Sequence, residues 1–146
     1  MSRSYKLVFL LVVISMLAAL AQAQSSDKFS VNISDNKFIG SYLVNQDGFT
    51  LYYFDDDKNA GGDSSCYDDC ATKWPPFYAE NIIVPDRLRS VDFAEMTRSD
   101  GSKQTTFKGW PVYLYSGDRD PGDIYGNKQK NGLWHVINPS DMPQLF

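Results

Sequence analysis

The sequence predicts a mainly β protein: a compact antiparallel β domain built from two tandem repeats, with one short helix near its cysteines. Three observations predict it. The first is a duplicated stretch. Gly48-Phe49-Thr50-Leu51-Tyr52-Tyr53-Phe54-Asp55-Asp56-Asp57 recurs as Gly109-Trp110-Pro111-Val112-Tyr113-Leu114-Tyr115-Ser116-Gly117-Asp118. In both copies a Gly stands four residues before a Tyr, an aromatic follows that Tyr by two and an Asp by five, and the two Tyr are 61 positions apart. The second is a series of roughly seven short apolar runs punctuated by Gly, Pro, Asn and Asp, the pattern of antiparallel strands. The third is the lack of amphipathic helical periodicity over any length.

The chain opens on a segment set apart from that domain. Arg3 and Lys6 precede an apolar run, Leu7 to Leu20, and Ala21-Gln22-Ala23 supplies the small-x-small pattern of a signal-peptidase site. The run is shorter than the roughly 18 residues wanted for a membrane span. Residues 1–23 therefore read as a signal peptide cleaved after Ala23, with a retained single-pass anchor as the alternative. Cleavage leaves 123 residues, enough for one domain with a real core but not for two. It also removes Arg3 and Lys6, so the net charge moves from −4 to −6. An acidic chain repels phosphate backbones and anionic lipid, which argues against nucleic acid and favours neutral or cationic partners, metal ions included.

Within the mature chain, residues 24–37 are polar and read as a flexible lead-in, with a short edge strand at Phe29–Ile33. Asn32-Ile33-Ser34 fits the N-glycosylation triplet. The β domain is expected over residues 38–146, with repeat one at about 38–78 and repeat two at about 93–137. Phe38–Val44 is β-prone, Asn45-Gln46-Asp47-Gly48 turns the chain and Phe49–Phe54 returns it, a hairpin signal. Phe49, Leu51 and Tyr53 share one face of that strand, and Thr50, Tyr52 and Phe54 the other. Both faces are largely apolar, so both must be covered.

The acidic, Gly-rich Asp55–Asp63 reads as a loop. Ser65-x-x-Asp68 resembles a capping box opening a short helix, Cys66–Lys73, which Pro75 and Pro76 stop after Trp74. Phe77–Asp92 is a connector with one short strand at Ile82–Val84. Phe93–Arg98 and Lys103–Phe107 flank Ser99-Asp100-Gly101-Ser102 as a second hairpin. Lys108-Gly109 makes another turn into the repeated strand, Trp110–Tyr115. A polar loop, Ser116–Gly132, leads to a last strand, Leu133–Ile137, and the tail Asn138–Phe146 packs irregularly.

Cys66 and Cys70 follow the presumed export signal, so a disulfide is the default. One helical turn places their Cα atoms about 6 Å apart, within disulfide reach. A metal site is the alternative. Tyr52, Phe54 and Asp57, with Tyr113, Tyr115 and Asp118, admit two readings. In one, each Asp caps the turn after its own strand and each Tyr is buried with its hydroxyl bonded nearby. In the other, they form two equivalent aromatic-plus-carboxylate binding sites at one end of the sheet. Nothing in the spacing sets Asp57 and Asp118 apart as a hydrolase pair.

Trp74 and Trp134 fall in corresponding places after the repeated strands, as core residues or as an exposed platform for sugar rings or peptide. Asp55, Asp56, Asp57 and Asp63 cluster in one loop and Asp118, Asp120 and Asp123 in its counterpart. Such loops are solvated turns or, with their oxygens converging, Ca²⁺ sites, although neither has EF-hand spacing. His135, the single His, is a part-buried strand residue or a ligand for a softer metal.

These pieces carry a resemblance. Tyr52 to Asp57 and Tyr113 to Asp118 both match Tyr-x-(Phe/Trp/Tyr)-x-x-Asp. Asp47-Gly48-x-Thr50-Leu51-Tyr52, Cys66-x-x-x-Cys70 leading to Trp74-Pro75-Pro76, Asp100-Gly101-Ser102-Lys103-Gln104, Gly109-x-Pro111-x-Tyr113 and Gly132-x-Trp134-His135-Val136 accompany them. Over Gly40 to Ile137 the chain resembles a secreted-repeat or lipoprotein family defined by that motif. The resemblance implies export, small size and two tandem repeats, and brings no established biochemical activity. Many members are lipid-anchored, whereas no Cys stands directly after the apolar run here, where a lipobox would place one.

The expected function is that of an exported, non-catalytic binding or cell-envelope-associated domain, secreted or at the cell surface. Its partner would be a small molecule, glycan or envelope protein, not nucleic acid, and the mature chain would have no transmembrane span. The alternative is a metal-binding or redox-accessory extracytoplasmic protein. No catalytic constellation is recognisable, and no cofactor is expected beyond Ca²⁺ or another metal ion.

Overall fold

Alternating apolar residues and a Gly in the left-handed region fold the first hairpin. The computed structural model describes residues 28–145. In it β1 (Val31–Asn36) pairs antiparallel with β2 (Gly40–Asn45), from Val31↔Asn45 to Asn36↔Gly40. Asn36 Oδ1 accepts the Phe38 amide inside the turn, and Gly40 takes φ +76°, which costs a residue with a Cβ. Asn45 organises the next turn, its Oδ1 accepting the amides of Asp47 and Phe49. Gly48 is required there twice over. Its φ is +87°, and a Cβ would stand 2.9 Å from that of Pro121.

The later elements are β3 (Tyr52–Phe54), a 3₁₀ turn at Asp55–Asn59, α1 (Asp69–Lys73) and a second 3₁₀ turn at Ser90–Asp92. Then come β4 (Phe93–Thr97), β5 (Lys103–Phe107), β6 (Trp110–Pro111), α2 (Gln129–Gly132) and β7 (Trp134–Val136). α2 is one turn interrupted by left-handed Lys130 and Asn131. The strands form three small antiparallel sheets, β1-β2, β3-β7 and β4-β5-β6.

The two repeats are intertwined rather than stacked. β3 lies between two strands from the other repeat. On one side Tyr52, Tyr53 and Phe54 pair with Val136, His135 and Trp134. On the other, Tyr52 and Tyr113 exchange both backbone hydrogen bonds, each 2.9 Å. The same bonds recur in both halves. Leu43 N–H donates to Ile137 O and Thr105 N–H to Phe77 O. Ile137 N–H donates to Leu51 O and Phe77 N–H to Val112 O, while Asp55 N–H donates to Leu133 O and Ser116 N–H to Lys73 O. Residues 74–77 therefore do for repeat two what β7 does for repeat one, about a pseudo-twofold axis between Tyr52 and Tyr113. Each repeat's Tyr strand is completed by the other repeat's Trp segment.

Two apolar clusters result. Val31, Leu43, Leu51, Phe93, Phe107, Val112 and Ile137 anchor the larger one. Tyr52, Phe54, Cys66, Trp74, Tyr113 and Trp134 form the second, around the axis. Cys66 and Cys70 are joined as the expected disulfide.

Several local expectations are corrected. The first strand begins two residues later than expected and runs to Asn36, so most of the stretch 31–37 belongs to a hairpin rather than to a flexible lead-in. Phe38 is not on a strand but at the hairpin tip, 83% exposed. The Asp47-Gly48 turn forms, but the returning chain bridges β2 only at Val44↔Thr50 before β3 leaves for β7. Ser65 caps no helix. Its amide and hydroxyl go to Asp57, and helix begins only at Asp69. Ile82–Val84 is not a strand, although Ile83 O accepts the amides of Ser30 and Val31. The repeated strand of repeat two is assigned only at Trp110–Pro111, because its continuation pairs through single bridges of Tyr113. The signal peptide and its cleavage site after Ala23 lie outside the described residues.

Because neither repeat closes its own sheet, the domain should unfold in one transition, with calorimetric and van't Hoff enthalpies equal. A fragment ending at residue 92 should show neither that transition nor near-ultraviolet aromatic dichroism; a cooperatively folded fragment would refute the intertwining. Reducing Cys66–Cys70, which closes a very short loop, should lower stability by about 2 kcal/mol in denaturant titrations.

Candidate functional site

The motif residues meet at the pseudo-twofold axis, and they meet crosswise. Tyr52 of repeat one donates its hydroxyl to Asp118 Oδ2 of repeat two at 2.7 Å. Tyr113 of repeat two donates to Asp57 Oδ2 of repeat one, also at 2.7 Å. Each carboxylate also holds the loop that follows its own strand. Asp57 Oδ1 accepts Ser65 N–H at 2.8 Å and Ser65 Oγ–H at 2.6 Å. Asp118 Oδ1 accepts Tyr125 N–H at 3.0 Å. Gly126 N–H donates to Tyr52 Oη, and Ser64 Oγ lies 2.7 Å from the Tyr113 hydroxyl.

Both phenols are fully buried and Asp57 is 0% exposed. Burial, with the neighbouring carboxylate, pushes both Tyr hydroxyls well above the ordinary phenol range. Burial also raises Asp57 and Asp118 above the usual carboxylate value, against the opposing pull of their hydrogen bonds.

The aromatic members of the motif form a four-ring column through the axis. Phe54 stacks on Trp134 at 4.3 Å and Trp134 on Trp74 at 3.7 Å, while Tyr115 meets Trp74 at 4.4 Å with its ring tilted by 35°. The rings come alternately from repeat one and repeat two. Tyr52 meets Trp74 edge-on, and Tyr113 meets Trp134 edge-on. Contacts of this kind contribute about 0.5–1.5 kcal/mol each beyond the area they bury. An ammonium caps one end, Lys130 Nζ lying 4.8 Å from the Phe54 ring centre; at the other end Lys73 Nζ stands off at 6.0 Å from that of Tyr115.

A third tie comes from Arg98, which sequence reasoning passed over. The residue is 2% exposed, its side chain reaching across from the β4–β5 hairpin to donate to Gln104 Oε1 at 2.5 Å and Cys66 O at 2.6 Å. Its Nε is the one buried side-chain nitrogen or oxygen without a hydrogen-bond partner among the described residues. Its charge draws the Asp57 and Tyr113 titrations downward, opposing burial. The signal available was a charged residue closing a β-prone run, Phe93–Arg98, which by itself is ordinary.

The sequence-derived candidates sort as follows. Tyr52, Phe54, Asp57, Tyr113, Trp74 and Trp134 are brought together but enclosed, so they form no open platform; Asp118 keeps 9% of its surface exposed and Tyr115 is half-buried. Each Asp does hold the loop after its strand, and the Tyr hydroxyl it receives comes from the opposite repeat. The proposed metal ligands are not brought together. Asp55 Oδ2 stands 3.0 Å from His135 Nε2. Asp123 Oδ2 accepts the amides of Arg119 and Asp120, and Asp120 is exposed. Among the described residues no group of three or more His, Cys, Asp or Glu is placed to hold a metal ion.

The pseudo-symmetry breaks beside Asp118. In one half Tyr53 packs between Trp110, edge-on at 5.1 Å, and His135, stacked at 5.0 Å, and His135 bonds Asp55. The positions answering to Tyr53, Trp110, His135 and Asp55 hold Leu114, Phe49, Pro75 and Ser116. These smaller groups leave a cleft of about 280 Å³ that reaches from the surface to Tyr115 and Asp118.

A family model described as a secreted repeat of unknown function matches the chain twice, over residues 35–78 and 94–138. No curated protein matches the chain, and no solved structure does. Among the described residues, no helix is long and apolar enough to cross a membrane.

Tyr52→Phe and Tyr113→Phe should each cost about 1–3 kcal/mol, since each leaves a buried carboxylate short of a donor. The double variant measures their coupling. Gly126→Ala should cost at least about 1–3 kcal/mol, because the new methyl would stand 2.8 Å from the Tyr52 ring and 2.9 Å from Trp74. An acid whose native pKa is raised stabilises the fold below its unfolded value and loses that contribution as pH rises through the native one. The stability of the wild type relative to Asp57→Asn should therefore fall as pH increases from about 4. A relative stability that grows over that range would contradict the raised Asp57.

Proposed function

The chain belongs to this family of secreted repeats, and we propose that it serves outside the cytoplasm as a non-catalytic binding or envelope-associated domain. One observation carries the proposal: the motif's acids and phenols are bonded to one another across the repeats. Groups held that way are ill-suited to general acid–base or nucleophilic roles, which need a proton or electron pair presented to substrate. What remains for recognition lies around the axis, and the cleft at Phe49, Pro75, Leu114 and Tyr115 is a concavity that reaches the motif. A mostly apolar depression with one convergent carboxylate has the character of a small-molecule site.

The net charge of −4 supports a neutral or cationic partner. The disulfide supports an oxidising destination, as does the leader expected from the sequence. Intact mass of the protein recovered from its native host should correspond to a chain beginning at Gln24, found in an extracytoplasmic fraction. A fragment screen read by nuclear magnetic resonance should cluster its hits at Phe49, Leu114 and Tyr115. A cytoplasmic, uncleaved chain, or hits confined to other surfaces, would overturn the proposal.

A further inference from the structure

We infer that the cleft bounded by Phe49, Pro75, Leu114, Tyr115 and Asp118 takes a small organic cation with an apolar body, its ammonium set between the Tyr115 ring and the Asp118 carboxylate. This rests on the reading of the cleft as the binding surface and names its ligand class. The first support is in the protein itself. In the filled half, the Lys130 ammonium lies 4.8 Å over the ring of Phe54 and 4.0 Å from Asp56 Oδ2. That is a cation held between the motif's second aromatic and a carboxylate of the following loop.

The open half lacks the equivalent. Gly117 stands where Asp56 does, and Lys73 reaches only 6.0 Å from the Tyr115 ring, the outer limit for such an attraction. A carboxylate is present nonetheless. Asp118 lines the cleft, and its oxygens accept Tyr125 N–H and the Tyr52 hydroxyl, with Gly126 N–H close enough to draw its titration down as well. A carboxylate accepts about four, so it keeps capacity for a further donor. All three of these groups are neutral, which leaves its charge uncompensated by them. Asp123, in the same loop, adds to the negative field there.

The second support is size and lining. About 280 Å³ lined by Phe49, Pro75 and Leu114, with the polar Asn45, Thr50 and Ser116 also at its wall, holds a single aromatic ring or short branched chain. The cleft exists because Leu114 and Pro75 replace the Tyr53 and His135 of the other half. Leu114→Tyr should therefore close it with a side chain this fold already accommodates in the symmetric position.

The test is titration of the mature protein with 2-phenylethylamine and with its neutral counterpart 2-phenylethanol, followed by aromatic fluorescence and chemical shifts at Leu114 and Tyr115. The wild type should bind the amine saturably and about tenfold or more tightly than the alcohol. Leu114→Tyr, with unchanged near-ultraviolet dichroism, should lose the amine. Equal binding of amine and alcohol, abolished by Leu114→Tyr, would overturn the cationic ligand class while leaving the cleft as a binding surface. Amine binding indifferent to Leu114→Tyr, or no binding of either probe at millimolar concentration, would overturn both.

Discussion

Two crossed hydrogen bonds, Tyr52 to Asp118 and Tyr113 to Asp57, are the constraint on which this architecture turns. A strand of three residues such as β3 has few ladder bonds of its own. Its position is set by what its side chains reach. A phenol buried without a partner is costly, as is an isolated carboxylate; each phenol here finds its acceptor in the opposite repeat, and each carboxylate takes that phenol alongside donors from its own loop. The ring column adds dispersion along the same axis, with partners again drawn alternately from the two halves. The polar and apolar terms thus favour a single arrangement. The Cys66–Cys70 link and the Arg98 clamp on Cys66 O then tie the loop carrying Ser64 and Ser65 to that arrangement.

Much of this was legible in the residues. The repeat of Tyr52–Asp57 at Tyr113–Asp118, the second hairpin, the disulfide and the antiparallel β class all follow from local pattern and turn chemistry. The apolar character of both faces of Phe49–Phe54 required a covered strand, and the fold buries Leu51 on one face and Thr50, Tyr52 and Phe54 on the other. What local pattern does not contain is the identity of the partner. Asp57 near its own Tyr52 in sequence invites a local cap, and only the fold shows that Tyr113 supplies the phenol. Ser65-x-x-Asp68 matched a helix start, but the buried Asp57 outcompeted the helix for both Ser65 donors. Phe38 was apolar and β-prone, yet the turn geometry of Asn36 and Gly40 left it at an exposed tip.

The candidate site shows the same division. The residues with the most evident chemistry were recognised as a set, but their burial could not be read from spacing. The acidic loops looked like cation sites because oxygen-rich loops often are. In the fold Asp57, Asp63 and Asp123 accept hydrogen bonds from nearby backbone or side-chain donors, and Asp55 pairs with His135. The cleft arises from substitutions that look unremarkable in isolation: Leu114 for Tyr53, Pro75 for His135. It became visible only when backbone bonds established which positions answer to one another.

The intertwined repeats bear on ancestry. A one-repeat chain presenting this Tyr strand and Trp segment would leave both unmatched, and a second identical copy would complete them about a true dyad. In such a dimer every change is made twice, so a cavity opened on one flank must open on the other. Joining the copies through the connector that spans residues 78–92 lifts that restriction. One flank is then free to keep its aromatic filling and hold the assembly together, while the other is free to lose it.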